Sequence, residues 1–373
     1  MSDLPSEQET PSANPCGSPQ VKKAVRQYLS AAEDSEALQK VHQSGTGPVA
    51  ELEAKLQEHY GKRHALCVSN ATNGLLALAI ALGLEQEPFV TTPLTYGATL
   101  SGWLHEGNRP VFADINSGTL TLDPESVERQ IGPETKALLS VDLFGVPADD
   151  KALRRVADEN DLWYIADAAQ SFGAERDGQP ASSRADALVV SFTAGKTLFA
   201  GEGAAILTDR MDLYEKLVWH TQHPHRHKRD LRLSLDNEFS LNMRMHPLAA
   251  VWANAAWDRA LRQMEARQSR CFELLGVLSD MALVEDIAFK ERSIRPSFFR
   301  VSAAWTEKAR EEEAREEDLL GVLRSRGIES EVEPASLQPI YQKPAYRAQY
   351  DETPNVTCTV AERQADRRFF LRF

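Results

Sequence analysis

Between residues 64 and 208, short apolar runs alternate with segments of helical spacing. His64-Ala-Leu-Cys-Val-Ser69, Phe89-Val-Thr-Thr-Pro93, Pro110-Val-Phe-Ala-Asp114, Ala137-Leu-Leu-Ser-Val141 and Ala187-Leu-Val-Val190 read as strands. The stretches 75–82, 123–131 and 149–159 read as helices. Several of the runs are continuous and rich in β-branched residues, as expected of strands buried on both faces. Regular alternation of this kind predicts an α/β fold with a mostly parallel central sheet sandwiched by helices.

At 373 residues the chain is too long for one small core. The chain is expected to divide into a large domain over 19–255 and a smaller C-terminal α+β domain over 256–373, with its character changing from about Glu265. Residues 1–18, rich in Ser, Pro and Glu, are expected to be a disordered tail. Helices are expected over 211–221, 248–262 and 268–280, a strand over 297–302 and a charged helix over 307–326. The net charge of −13 argues against nucleic acid or an acidic membrane surface as a main partner. No apolar run is long enough to span a bilayer, and the polar N-terminus does not read as a signal peptide. Four cysteines without metal-ligand spacing fit a reducing cytoplasm.

Two stretches carry chemistry. Ser191-Phe-Thr-Ala-Gly-Lys196 sets a lysine in a small-residue turn directly after a strand, and Gly201-Glu-Gly203 returns the chain into a second strand, 204–208. A lysine held in such a pocket loses its proton more readily and can form a Schiff base. Upstream, the strand ending at Asp167 delivers a carboxylate at its C-terminal end, the edge where parallel α/β sheets bind ligands. A pyridoxal phosphate site needs a lysine for the aldehyde, a carboxylate for the ring nitrogen and an anion site. Asn70-Ala-Thr-Asn-Gly74 opens a helix after a strand, and that helix start is an anion site as well as a capped terminus.

Taken together, Asp167-Ala-Ala-Gln170-Ser, Ser191-Phe-x-x-x-Lys196 with Gly201-Glu-Gly203, and Asn242-Met-Arg244-Met245 resemble the DegT/DnrJ/StrS family of pyridoxal-phosphate-dependent sugar aminotransferases. The resemblance runs from about residue 44 to 257 and more weakly to 346, where Pro339-Ile-Tyr-Gln-Lys-Pro-Ala-Tyr346 resembles the family's late segment that approaches the active site. It implies the fold-type-I transferase architecture and an amino transfer from glutamate or glutamine to a keto-sugar, often nucleotide-linked, or to a cyclic ketone. By the same resemblance Lys196 holds the cofactor as an internal aldimine, Asp167 faces the ring nitrogen, Gln170 lies near the phenolic oxygen and Tyr96 stacks on the ring. Ala71, Thr72 and Ser191 hold the phosphate, and Asn242 reaches the phosphate of a neighbouring subunit in a homodimer.

The chain departs from the family pattern in its expected end at Phe373, shorter than typical members, and at two positions. Ala71 stands where a glycine is usual, and Asp142 stands where a histidine usually precedes the Leu143-Phe-Gly145 turn, so a contact near the cofactor or substrate is expected to differ. The histidine-rich segment 220–227 lacks the cysteine or carboxylate pattern of a metal site. It is left as either a solvated loop or a basic loop that receives a phosphorylated substrate. A lyase or dehydratase of the same fold and a catalytically silent regulator are the alternative functions. Lys196 argues against the dehydratases, which replace it with histidine.

Overall fold

The computed structural model describes residues 18–31, 41–226, 239–287, 293–311, 315–334, 337–350, 357–365 and 367–372. The expected disordered tail lies outside these residues, except for Ser18. In chain order the first strands are β1 (His64–Val68), β2 (Pro88–Thr91), β3 (Arg109–Phe112), β4 (Ala137–Val141), β5 (Trp163–Asp167), the short β6 (Glu175–Arg176) and β7 (Gln179–Pro180), β8 (Ala187–Ser191) and β9 (Ala204–Thr208). Seven of them form one sheet in the order β1-β9-β8-β5-β4-β2-β3. The pairs β3–β2, β2–β4, β4–β5 and β5–β8 are parallel, whereas β9 runs antiparallel to both β8 and β1.

The continuous apolar strands follow from burial on two faces. Leu66, Val68, Ile165, Val189 and Ile206 point into one core. Ala65, Cys67, Tyr164, Leu188, Val190 and Leu207 point into the other, with Leu52, Leu56 and Trp257. On the first face the helices Ala71–Leu82 and Ala98–His105 cross closely. A Cβ at Gly102 would come within 2.6–2.7 Å of Leu76 Cβ and Cα, so no larger residue fits that crossing without moving backbone.

Beyond the sheet, the helices expected over 248–262 and 268–280 are one continuous helix of 33 residues, Pro247–Ser279. Residues 263–267 contain no Pro or Gly to interrupt it. This helix carries the chain across residue 256 without a break. Four more strands, β10 (Val284–Ile287), β12 (Val301–Trp305), β13 (Glu331–Pro334) and β14 (Arg368–Arg372), make an antiparallel sheet in the order β10-β12-β14-β13, while β11 (Ile294–Arg295) pairs with β6. The apolar end of the chain is thus an internal strand, with Phe369 stacked on Trp305 at 4.0 Å.

The strand expected over 297–302 begins only at Val301. Residues 297–300 instead bond to the β4–β5 side of the large sheet: Ser297 N donates to Gly145 O and Arg300 N to Phe144 O. The charged helix expected over 307–326 is described as Glu307–Arg310 and Arg315–Ser325, with Gly327 beyond it at φ 75°. Before β14 the chain returns to the large sheet, where Ile340 N donates to Pro93 O and the Asp114 carboxylate accepts from Val360 N and Ala361 N.

Candidate active site

Register places the chemistry at one sheet edge. Val68 and Ser191 both pair with Ala204, and Asp167 lies level with Val189, two residues before the end of β8. The C-terminal ends of β1, β5 and β8 therefore open on a common cleft of about 650 Å³. Seven of the eight residues expected at a cofactor line it: Ala71, Thr72, Tyr96, Asp167, Gln170, Ser191 and Lys196.

Lys196 sits in the connection between β8 and β9. Its amide donates to Thr193 O at 3.2 Å across a turn in which Gly195 has φ 83°. Its ammonium lies 4.6 Å above the centre of the Phe299 ring. Burial lowers the lysine pKa from its ordinary value, and the Asp167 carboxylate opposes that shift.

Asp167 is 7% exposed. Its Oδ2 accepts from Thr99 Oγ1 at 2.7 Å and its Oδ1 from Ala169 N at 3.0 Å. Burial raises its pKa, while the Thr99 hydroxyl, the Ala169 N–H and Lys196 pull it back down. Thr99 is in turn 2.7 Å from the hydroxyl of Thr95.

The helix Ala71–Leu82 begins at the end of β1. Asn70 caps it by accepting from Asn73 N at 2.9 Å. Among the described residues the N–H groups of Ala71 and Thr72 have no partner, so the start of the helix offers two donors to the cleft. Ala71 is the first helical residue, a conformation that alanine favours, so the missing glycine leaves the helix start intact. Ser191 and Thr193 place their hydroxyls 3.1 Å apart beside it.

Gln170 is held by Phe144 N, which donates to its Oε1 at 2.9 Å, so its amide N–H groups remain available. Phe144 itself has φ 59°, rare for an aromatic residue, and its strained turn is fixed by this bond. Tyr96 is 74% exposed at the mouth and presents an open ring face. Orphan donors at a helix start, a buried carboxylate, a depressed lysine and an open aromatic face together match the donor set that pyridoxal phosphate requires.

Asn242, Asp142 and the histidine-rich segment stand apart from this cleft. Asn242 is exposed, has φ 53°, and its Oδ1 accepts from Arg244 Nη1 rather than facing this chain's cleft. It is held beside β1, where Ser69 N donates to Met243 O at 2.8 Å. Asp142 makes no contact with the cleft. It is fully buried behind it and accepts from Ala148 N at 2.9 Å, Ser171 Oγ at 2.7 Å and Ser182 Oγ at 2.8 Å. In the histidine-rich segment, Arg226 turns inward and pairs with Glu53 at 2.6 Å, so this cation is not available to a substrate. Among the described residues no group of three or more His, Cys, Asp or Glu could hold a metal, and residues 227–238 lie outside them.

Sequence reasoning missed Thr99, Phe299 and Lys343, all of which line the cleft. Thr95 and Thr99 flank the Tyr96-Gly-Ala98 segment of one short stretch, which is a usable signal. Phe299 arrives from a distant segment and leaves no local sign, whereas Lys343 lies within 339–346, the stretch whose resemblance implies an approach to the active site.

A mostly parallel sheet with this lysine, carboxylate and helix start at one edge defines an α/β transferase of fold type I. The family model for DegT/DnrJ/EryC1/StrS aminotransferases matches residues 26–372, and the chain belongs to that family. It is 37% identical over 170 residues to the UDP-2-acetamido-2-deoxy-3-oxo-D-glucuronate aminotransferase of Pseudomonas aeruginosa, covering 45% of this chain and 47% of that protein. It is 36% identical over 175 residues to the dTDP-4-amino-4,6-dideoxy-D-glucose transaminase of Shigella dysenteriae, covering 47% of each. The matched stretches thus span about half the length of these relatives. The solved structure of DesI in the presence of its TDP-sugar product has a TM-score of 0.73 and 30% identity, covering 94% of this chain and 85% of that one. Among the described residues no helix is long and apolar enough to cross a membrane.

Proposed function

We propose that the protein is a pyridoxal-phosphate-dependent aminotransferase that moves an amino group from glutamate or glutamine to a keto-sugar, nucleotide-linked in the favoured case, or to a related cyclic ketone. The observation that carries this reading is the convergence of buried Asp167, half-buried Lys196 and the open start of the helix Ala71–Leu82 on one cleft. Family membership and the sugar-nucleotide names of the matched relatives support it.

The Ala71 and Thr72 N–H groups with the Ser191 hydroxyl would hold the cofactor's phosphate. Asp167 would keep a proton on the ring nitrogen, Gln170 would donate to the phenolic oxygen, and Tyr96 would cover the ring. When bound, pyridoxal phosphate supplies an electron sink for charge that develops at the amino-bearing carbon. Lys196 would carry the cofactor. Its lowered pKa suits it to take a proton from one carbon and return it to the next.

Lys343 lines the same cleft, and among the described residues no carboxylate pairs with it, so it is a cation available to an anionic part of a substrate. The protein would act as a homodimer, with exposed Asn242 completing the partner's site and the neighbouring exposed Leu241 buried between subunits. Cofactor-loaded protein given glutamate or glutamine and a nucleotide-linked keto-sugar should release the matching 2-oxo acid and the amino-sugar. Loaded protein that releases neither with any such ketone would overturn the proposal.

A further inference from the structure

The hydrogens along Thr95, Thr99 and Asp167 can be counted. A threonine hydroxyl has one hydrogen to donate, and an ionised carboxylate only accepts. With the carboxylate ionised, Thr99 Oγ1, 2.7 Å from Asp167 Oδ2, gives its single hydrogen to it. The 2.7 Å contact between Thr95 and Thr99 must then be donated by Thr95. The chain therefore runs one way, from Thr95 through Thr99 to Asp167. The other carboxylate oxygen accepts from Ala169 N, so the fold supplies one donor to each oxygen.

Thr95, Thr99 and Asp167 are 8%, 2% and 7% exposed, so water does not substitute for these donors. A carboxylate buried to this degree favours its neutral form unless donors hold the charge, and hydrogen bonds to a charged acceptor are the strong ones. Successive donors in a buried chain also polarise one another. The backbone fixes the geometry: Thr99 N donates to Tyr96 O at 3.0 Å at the start of the helix Ala98–His105. The same short turn thus carries Tyr96 at the mouth and the two hydroxyls at the floor.

We infer that Thr99, oriented by Thr95, is a positioning residue that holds Asp167 ionised and aimed into the cleft. The inference rests on the proposed cofactor reading, because Asp167 serves the reaction only if it faces the ring nitrogen. It goes further in assigning the carboxylate's charge state to two hydroxyls from a separate segment.

The test uses full-length protein loaded with pyridoxal phosphate labelled with ¹⁵N in the ring. It compares wild type, Thr99→Val, Thr99→Ser and Thr95→Val. At neutral pH the ring-nitrogen resonance should report a protonated ring in wild type and Thr99→Ser. In Thr99→Val it should move toward the unprotonated value, with cofactor affinity weakened about tenfold to hundredfold, the range of a hydrogen bond to a charged group. Thr95→Val should show the same change at smaller size, which keeps the test decisive if Thr99→Val does not fold. An unchanged resonance in both valine variants, or a Thr99→Ser protein as impaired as Thr99→Val, would overturn the inference alone. A wild type that takes up no pyridoxal phosphate would overturn the cofactor reading and the inference together.

Discussion

Asp142, where the resemblance leads one to expect a histidine, lines no part of the cleft. Three donors from separate loops converge on it, and burial still raises its pKa to about 6. An unfolded aspartate titrates near 3.9. Because the folded value is the higher one, folding is favoured by its neutral form. That contribution is present in full below about pH 4 and is lost as pH rises through about 6. Asp142→Asn keeps an acceptor for Ala148 N and cannot ionise. The stability of this variant relative to wild type, from urea unfolding, should therefore improve by roughly 2–3 kcal/mol between pH 4 and pH 7. A constant difference across that range would show that Asp142 is not raised. The sequence disclosed the residue but not its surroundings, because Ser171, Ser182 and Ala148 are brought to it only by folding. Lys196 and Asp167 were legible for the opposite reason: Asp167 ends β5 and Lys196 sits in the short turn between β8 and β9, so local pattern alone places both at the sheet edge.

At the scale of elements, the alternating runs predicted the parallel sheet because the two-face burial of its strands is written in their composition. Where prediction erred, long-range contacts decided. Residues 297–300 give up strand pairing to bond with the Phe144–Gly145 turn, and the helix Pro247–Ser279 continues where a break was expected. The pair of Glu53 and Arg226 is another such contact. It ties the loop after the helix Met211–Thr221 to the helix Pro48–Tyr60, and Arg226 Nη1 also donates to Gly45 O at 3.3 Å. Gly45, at φ 64°, leaves room for the guanidinium: a Cβ there would lie 1.7 Å from Arg226 Nη1. Glu53→Ala strands a buried cation and should cost about 3–5 kcal/mol, measured by chemical unfolding. The double variant Glu53→Leu with Arg226→Met should recover only part of that loss: both buried charges go together, but Cys67 N, which donates to Glu53 Oε1 at 2.8 Å, is left without its acceptor. A single variant that unfolds like wild type would show that the pair carries no weight.

At the scale of the whole molecule, the position of Asn242 outside its own cleft fits a site shared between subunits. Lys196→Ala and Asn242→Asp protomers should each be inactive alone. Random mixing should restore activity at about a quarter of the sites, because only heterodimers contain a site with both residues intact. Heterodimers that form without activity would show that Asn242 serves its own subunit. Lys196 is the residue proposed to carry the cofactor. Borohydride reduction of the protein loaded with pyridoxal phosphate, followed by peptide mass analysis, tests this most directly. The peptide containing Lys196 should gain one pyridoxyl phosphate and the loaded protein's visible absorbance should disappear. A label on any other lysine, or on none, would contradict the account.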